Sequence, residues 1–177
     1  MPGVRMVVLD TVNDPGTPGR MGDDRFGFDE AAGTAWALDG ATDVTELKPF
    51  PNAESGAAWI AEALSARLMA PPAADETPEA YFAKALTDVR ARAETSTRIP
   101  LDDLPGEARP IASGMWMHVV NDRAVFAWLG DCMALLRRGR PTGDVRMPTA
   151  PVSGSTRMRH RTWRLRLSRW SRAIRSA

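Results

Sequence analysis

The stretch at residues 35–44 constrains the fold of this chain most strongly, because an apolar run ends there in Asp39 and Gly40. Such a run predicts a buried strand that carries a carboxylate and an unhindered backbone carbonyl to one edge of a sheet. Further carboxylates lie near other predicted strand ends, at Asp23, Asp24 and Asp131. Three strand ends that bear carboxylates predict a single site for a hard cation.

The hydrophobic pattern predicts an α+β fold. Apolar and β-branched runs predict strands at residues 4–9, 25–28, 34–38, 111–120, 123–129 and 132–136. A period of about 3.6 with capping residues predicts one helix over residues 55–69 and a second that begins at Thr77. This order of strands, helices and strands indicates a layered, mainly antiparallel fold rather than alternating βαβ units. The first hairpin would place Asp23 and Asp24 beside Asp39.

The length and cysteine count limit the class of protein. A chain of 177 residues is long enough for one domain with its own core. Cys132 is the only cysteine, so no internal disulfide can form, and no apolar run of about 18 residues could span a membrane. The apolar part of the first ten residues is too short for a secretion signal. We therefore expect a cytoplasmic protein.

The charge is distributed unevenly along the chain. Residues 141–177 contain nine arginines and one acidic residue, Asp144, whereas residues 1–140 contain 14 basic and 21 acidic residues. The two parts therefore carry net charges of +8 and −7. This break predicts one domain at residues 1–140 and an arginine-rich, disordered tail at residues 141–177. Nucleic acid or an acidic surface would be attracted only by the tail.

The aspartate carboxylates and the backbone carbonyl of Gly40 are oxygen ligands, which suit Mg²⁺ or Mn²⁺. Because Gly40 has no side chain, its carbonyl can approach an ion closely. Two such ions about 3.5–4 Å apart can share one carboxylate and hold a hydroxide for attack on phosphorus. Asp39 is the candidate for the shared ligand. The alternative interpretation is that Asp39 and Gly40 simply form a turn, for which this dipeptide is a strong signal.

The order of the motifs resembles the PP2C (PPM) family of metal-dependent serine/threonine protein phosphatases. The matching features are an acidic motif at residues 22–24, a short hairpin that ends in Asp39 and Gly40, an alanine-rich helix near Trp59, and a strand followed by Gly130 and Asp131. The resemblance covers about residues 4–139. It implies an αββα sandwich, hydrolysis of phosphoserine or phosphothreonine in a phosphorylated protein substrate, and a two-metal centre of Mn²⁺ or Mg²⁺.

The same resemblance implies individual roles for the acidic residues. Asp39 would bridge both metals, the carbonyl of Gly40 would bind one of them, and Asp23 would hold a metal-bound water. Asp24 corresponds to the second acid of the first motif. Asp131 corresponds to the Gly-Asp motif near an accessory metal position.

The sequence also departs from the family pattern. The phosphate-binding arginine of the family would fall on Gly19, and Ala41 stands where a histidine often follows Asp-Gly. Downstream Ser-Asp-Gly and Asp-Asn motifs, which complete the second metal in the family, have no counterpart. We therefore expect a phosphatase domain truncated after about residue 139, and the compositional break there suggests a shifted reading frame or a divergent terminus. The alternative function is a catalytically inactive pseudophosphatase or binding module.

The cysteine, histidine and tryptophan residues, which are catalytic or bind ligands in many enzymes, are not predicted to do so here. The spacing of Cys132 and Arg138 matches that of cysteine-dependent phosphatases, but the apolar strand predicted between them favours a buried structural cysteine. His118 and His160 are the only histidines and cannot form a histidine metal cluster; His118 is expected to face solvent. Core packing is predicted for the following tryptophans: Trp36, Trp59, Trp116 and Trp128.

Overall fold

The computed structural model describes residues 5–15, 19–41, 44–121 and 123–134. Four strands and two helices are formed in the order β1 (Arg25–Asp29), β2 (Thr34–Gly40), α1 (Gly56–Leu68), α2 (Pro78–Ser96), β3 (Ala112–Val120) and β4 (Arg123–Leu129). Two 3₁₀ turns, Leu101–Asp103 and Gly106–Ala108, interrupt the predicted loop before β3. The predicted α+β class is confirmed, as is the placement of two helices between two pairs of strands.

All four strands form one antiparallel sheet in the order β1-β2-β3-β4. The two helices are inserted between β2 and β3, which are nevertheless neighbours, with Trp36 opposite Trp116. The β3–β4 connection contains Asn121, whose φ of 49° is the left-handed conformation that a tight hairpin turn requires. The sequence therefore forms a meander whose middle connection is helical.

Both helices begin at the capping residues that the sequence predicts. The Ser55 side chain accepts a hydrogen bond from the Ala58 amide at 2.8 Å, and Thr77 caps α2 in the same way through Ala80. Pro78 occupies the first turn of α2, where a missing N–H costs no hydrogen bond. These caps satisfy amide groups that a helix start would otherwise leave unpaired.

The core lies between the helices and one face of the sheet. Trp36 and Trp116 are 4% and 1% exposed and point toward the helices, which confirms their predicted packing role. The Trp116 ring stacks on Tyr81 with centroids 5.1 Å apart and meets Phe82 edge to face at 5.6 Å. The Trp36 indole donates a hydrogen bond to Ser65 Oγ at 3.0 Å. The aromatic residues of β2 and β3 thus fix both helices on the sheet.

The opposite side of the sheet, called here the outer face, is also apolar. The register places its side chains in two cross-strand rows: Phe26, Ala37, Met115 and Trp128 in one, and Phe28, Ala35, Met117 and Phe126 in the other. The two phenylalanines of β1 are 40% and 41% exposed. Trp128 is half-buried on this face, and Trp59 is half-buried on α1, so the predicted core role applies fully to only two of the four tryptophans.

Two predicted strands are wrong in their described parts. Residues 5–9 and 132–134 are irregular, and neither segment extends the four-stranded sheet. A strand needs a neighbour for its backbone hydrogen bonds, and the Val8 amide instead donates to the Glu30 carboxylate at 2.8 Å. Gly130, with a φ of +77°, turns the chain away from the direction of β4 before residue 132.

His118 also differs from its prediction. Because its register partner on β2 is the buried Thr34, His118 lies on the helix side of the sheet, half-buried beside the Trp116 ring at 5.5 Å. Burial lowers the pKa of its imidazole below the usual 6.5. Alternation along a short strand could not distinguish the two faces, since both are apolar.

Within the described residues, no helix is long and apolar enough to cross a membrane. The predicted basic tail at residues 141–177 lies outside the described residues, as do residues 135–140 and His160.

Candidate functional site

The site begins with two aspartates at the end of the first hairpin. Arg25 pairs with Leu38 in the antiparallel register. The residue before Arg25 and the residue after Leu38, Asp24 and Asp39, therefore lie opposite each other. The Gly40 amide donates a hydrogen bond to Asp24 Oδ1 at 3.3 Å, which holds that carboxylate against the end of β2. Like charges directly opposite on neighbouring strands destabilise a sheet. The fold therefore keeps two acids in an arrangement that does not favour its own stability.

The pKa of Asp39 reflects this arrangement. Burial raises the pKa above its usual 3.8, and the negative charges of Asp24 and Asp131 raise it further. A hydrogen bond between the side chains of Asp39 and Asp24 acts in the same direction. A proton or a cation between the two carboxyl groups would relieve the repulsion.

Gly40 occupies a position that a larger residue cannot take. A Cβ atom there would lie 2.5 Å from the carbonyl oxygen of Asp23 and 3.1 Å from that of Ala57. The first motif and the start of α1 therefore pack directly on the backbone of β2. This close contact explains the glycine of the Asp-Gly pair better than a turn does, because Gly40 is the last residue of the strand and Ala41 continues the ladder to Ile111 at 3.0 Å.

Asp23 lies on the helix side of the same cluster. Its Oδ1 accepts a hydrogen bond of 2.5 Å from Ser55 Oγ, the hydroxyl that also caps α1. The negative charge is thus placed at the positive end of the helix dipole. The structure brings Asp23 to the start of α1 and Asp24 to Asp39, so the two acids of one motif have different surroundings.

Asp131 reaches the site from the end of β4, beside Ser113. Ser113, which pairs with Asp39, donates a hydrogen bond from its Oγ to Asp131 Oδ1 at 2.7 Å. This bond is the main reason why the pKa of Asp131 lies below 3.8. Gly130 makes the turn possible, because its φ is +77° and a Cβ there would collide with the Ser113 side chain.

Arg25 holds the acidic loop in place. Its Nη1 donates to the carbonyl oxygens of Gly22 at 3.0 Å and Asp24 at 2.6 Å, while its Nε pairs with Glu62 of α1 at 2.7 Å. The guanidinium group therefore fixes residues 22–24 against the helix. Arg20, adjacent to the position of the family's phosphate-binding arginine, instead pairs with Glu54 at 3.3 Å.

The sequence interpretation missed Ser113, Arg25 and the position of Cys132. Burial and the charges of Asp39 and Asp131 raise the pKa of the half-buried Cys132 thiol, so the reactive thiolate is disfavoured. Cys132 was predicted to be a buried structural cysteine on a strand; it is half-buried, and the described residues around it, 132–134, are irregular. Strand pairing is the signal that identifies Ser113, because its importance depends on lying opposite Asp39.

The carboxylate oxygens at this site are ligands that a hard cation prefers, but few side chains supply them. Within the described part of the chain, no three histidine, cysteine, aspartate or glutamate side chains converge as a group that could hold a metal ion. Asp24 and Asp39 are adjacent oxygen donors, with Asp131 near enough to affect the pKa of Asp39. Two carboxylates are sufficient for Mg²⁺-type binding in which water supplies the other ligands.

Comparisons with known proteins add no further assignment: no protein-family model, no curated protein and no solved structure matches this chain.

Proposed function

We propose that this chain is a PP2C-like metal-dependent phosphatase that hydrolyses phosphoserine or phosphothreonine in proteins. The observation that carries the proposal is the pair of like-charged side chains, Asp24 and Asp39, which meet at the exposed end of β1 and β2. Burial and the charges of Asp24 and Asp131 raise the pKa of Asp39, and a carboxylate that neighbouring acids perturb in this way supports a functional site at this strand end. The acidic motif, hairpin, Asp-Gly pair, helix and Gly-Asp pair also follow the order of the family.

The residues present fit a divalent cation held through Asp24 and Asp39, with Mn²⁺ or Mg²⁺ as the expected metals. When bound, such an ion supplies Lewis-acid stabilisation of phosphate and a water of lowered pKa. The protein's own residues hold the two carboxylates in position. Gly40 holds Asp24 through its amide, and Arg25 fixes the acidic loop at residues 22–24, just before β1. Asp23, bonded to Ser55 at the start of α1, would orient water at the edge of the site.

The finer fold that we propose is the αββα sandwich of the family, of which the described residues supply one helical layer and one sheet. Its support is the apolar outer face, because a sheet with two apolar faces requires a covering layer on each side. The acidic residues lie at one end of this face. Asp39 is two residues after Ala37 on β2, and its partner Ser113 is two residues before Met115 on β3, so both belong to the outer face. The site would thus open at the edge between two sheet layers.

The test is the hydrolysis of a phosphothreonine peptide by the purified chain in Mn²⁺, with and without a chelator. Asp39→Asn is expected to remove turnover, because it removes the shared carboxylate. Asp102→Asn is the matched control, since it makes the same chemical change at an exposed residue on a 3₁₀ turn. Isothermal titration with Mn²⁺ on the same three proteins separates loss of binding from loss of chemistry. Metal-independent turnover, or equal turnover in Asp39→Asn, would contradict the proposal.

A binding module without catalysis is the second candidate. It is favoured by the donor count, because the described residues include no group of three metal-capable side chains. In that case Mn²⁺ would bind through Asp24 and Asp39 without peptide turnover. A phosphothreonine peptide would then bind the chain in the presence of Mn²⁺ and remain intact.

A further inference from the structure

A cavity of about 590 Å³, lined by both helices, lies next to the acidic loop. Its lining comes from residues 50–54, from the first half of α1 and from the last two turns of α2. Met21 and Arg25 line its remaining side, next to residues 22–24. The volume is within the range of about 300–1,000 Å³ that ligand pockets occupy in proteins. Neither Asp24 nor Asp39 lines it, so the cavity is a separate place for a ligand beside the candidate metal site.

One wall of the cavity is aromatic. The Trp59 and Phe50 rings are stacked, with centroids 4.2 Å apart and an interplanar angle of 14°. Phe50 is 2% exposed, so it anchors the half-buried indole. The Arg92 guanidinium lies over that indole, with Cζ 6.0 Å from the ring centroid. A guanidinium in contact with an aromatic ring keeps the N–H groups along its edge for an anion, because the ring occupies its face.

Arg92 is the unmatched charge of this cavity. Two other charged residues of its lining, Arg25 and Glu62, form an ion pair with an N–O distance of 2.7 Å. A third, Glu54, pairs with Arg20 at 3.3 Å. Among the residues that the structure describes, no carboxylate lies within ion-pair distance of Arg92. Within that part of the chain, the cavity therefore presents a free positive charge, in a body whose net charge over residues 1–140 is −7.

The hydroxyl groups nearest to Arg92 in the sequence are bound to its own backbone. Thr95 Oγ1 and Ser96 Oγ donate hydrogen bonds to the Arg92 carbonyl at 2.9 and 2.8 Å. A hydroxyl in this arrangement can accept a further hydrogen bond but offers none to an anion. Recognition of an anion at this place therefore depends on the guanidinium of Arg92. A guanidinium binds a carboxylate well, because two parallel N–H···O bonds match the geometry of both groups.

The cavity and the acidic loop share a wall. Arg25 lines the cavity, and its Nη1 donates to the carbonyl oxygens of Gly22 and Asp24. Met21, which is 67% exposed, also lines the cavity and directly precedes that loop. An extended chain advances about 3.3 Å per residue. A peptide with its phosphorylated residue at the acidic pair therefore crosses Arg25 and enters the cavity within a few residues.

We propose that this cavity is a specificity subsite that binds an acidic residue of the phosphorylated peptide, with the side-chain carboxylate on Arg92. The identity of the ligand as a phosphopeptide rests on the proposed function, whereas the preference for an acid comes from the free guanidinium. The apolar surfaces of Trp59 and Met21 contact the methylene groups of the bound residue and its neighbour. Negative charge over the rest of the body repels acidic segments, so selection depends on an acid that reaches Arg92.

The test is the affinity of labelled peptides for the full-length chain in Mn²⁺, measured by fluorescence anisotropy at about 0.15 M salt to screen long-range repulsion. The peptides carry a non-hydrolysable phosphonate in place of phosphothreonine, flanked on both sides by glutamates in one peptide and by glutamines in the other. The unmodified chain should bind the glutamate peptide about threefold to tenfold more tightly, the size expected of an exposed bidentate ion pair. Arg92→Gln should bind both peptides equally. Arg123→Gln, the matched control, removes an exposed arginine at the start of β4, outside the cavity, and should keep the preference.

A reversal of charge separates recognition from a loss of local structure. A third peptide carries flanking lysines. Arg92→Glu should shift the ratio of affinities toward this peptide and away from the glutamate peptide by about tenfold or more, relative to Arg123→Glu, because like charges replace the ion pair. A variant that had only lost its contact with Trp59 would show no such shift. Equal shifts in the two variants would overturn the proposal.

The affinities and the turnover of the matching phosphothreonine peptides test different statements. Equal affinity of the unmodified chain for the glutamate and glutamine peptides, or no binding of either, would overturn the subsite. So would the same preference in Arg92→Gln and Arg123→Gln. Hydrolysis of both phosphothreonine peptides with equal KM would support the phosphatase and contradict the subsite. A charge preference that depends on Arg92, without hydrolysis, would support the subsite and contradict the catalysis.

Discussion

The carboxyl groups of Asp24 and Asp39 lie within hydrogen-bonding reach of each other, although both belong to residues that are exposed to solvent. The raised pKa of Asp39 is caused first by burial, then by the negative charges of Asp24 and Asp131 and by the hydrogen bond with the Asp24 side chain. An arrangement of this kind weakens the sheet unless a cation is present. The stability of the hairpin end should therefore depend on proton and metal concentration in predictable directions.

In the presence of a chelator, Asp39→Asn should increase the free energy of unfolding at pH 7 by about 0.2–1 kcal/mol, the range for a cross-strand pair of like charges. Solvent exposure keeps the effect small. The folded pKa of Asp39 is raised, so its protonated form contributes stability below the unfolded value of 3.8, and that contribution is lost as pH rises through the folded pKa. The advantage of the variant should therefore disappear near pH 3. Urea unfolding at both pH values measures it, and a larger advantage at low pH would contradict this explanation.

Mn²⁺ should reverse the order of stability. A ligand present at 100 times its dissociation constant stabilises the folded state by about 2.7 kcal/mol if it does not bind the unfolded chain. Thermal unfolding should thus show a higher midpoint for the unmodified chain in Mn²⁺ and little change for Asp39→Asn. Asp102→Asn should respond as the unmodified chain does, because Asp102 lies on the 3₁₀ turn Leu101–Asp103. An equal shift in all three proteins would indicate that the ion binds elsewhere.

Gly40→Ala should destabilise the chain by about 1–3 kcal/mol, the usual result of forcing a methyl group into a filled space. The new Cβ would approach the backbone oxygens of Asp23 and Ala57, and neither can move without shifting the acidic loop or α1. Gly106→Ala is the control, since a Cβ at that position meets nothing within 4 Å. Urea unfolding should show that control to be neutral or slightly stabilised. Equal stability of the two variants would show that the contact at Gly40 is not tight.

Local signals predicted much of the fold from the sequence. The caps at Ser55 and Thr77, the change of period and the β-branched runs depend on residues close together in the chain, and the structure confirms both helices and four of the six predicted strands. The irregular segments at 5–9 and 132–134 could not be predicted in this way, because an apolar run becomes a strand only beside a partner. His118 was assigned to the wrong face for a similar reason, since both faces of the sheet are apolar.

The sequence predicted the acidic residues of the candidate site but not the residues that hold them in place. The hairpin argument placed Asp24 near Asp39 correctly, since antiparallel neighbours have a fixed register once the turn is known. The contact of Asp23 with Ser55 and that of Ser113 with Asp131 join residues 32 and 18 positions apart. Pairings at such separations depend on the packing of α1 and β3, which hydrophobic periodicity does not specify.

Ser55→Ala should cost more stability than Thr77→Ala. Both variants lose the hydrogen bond that caps a helix, which is worth about 0.5–2 kcal/mol. Ser55 is 7% exposed and also donates to Asp23, so its loss leaves a carboxylate without that donor. Urea unfolding of the two variants gives the difference directly. If the cost of the two substitutions were the same, the bond to Asp23 would contribute nothing beyond the cap.

The His118 side chain should make the chain less stable as the solution becomes mildly acidic. Its folded pKa lies below the unfolded value of 6.5 because burial disfavours the charged imidazole, so the unfolded state binds the proton first. The contribution of His118 is therefore fully present above pH 6.5 and is lost as pH falls from 6.5 toward the folded pKa. His118→Gln removes the titrating group while keeping a polar side chain beside Trp116. Between pH 7.5 and pH 5.5, urea unfolding should show a larger loss of stability in the unmodified chain than in this variant. The same dependence on pH in both proteins would mean that the imidazole is as well solvated in the folded state as in the unfolded one.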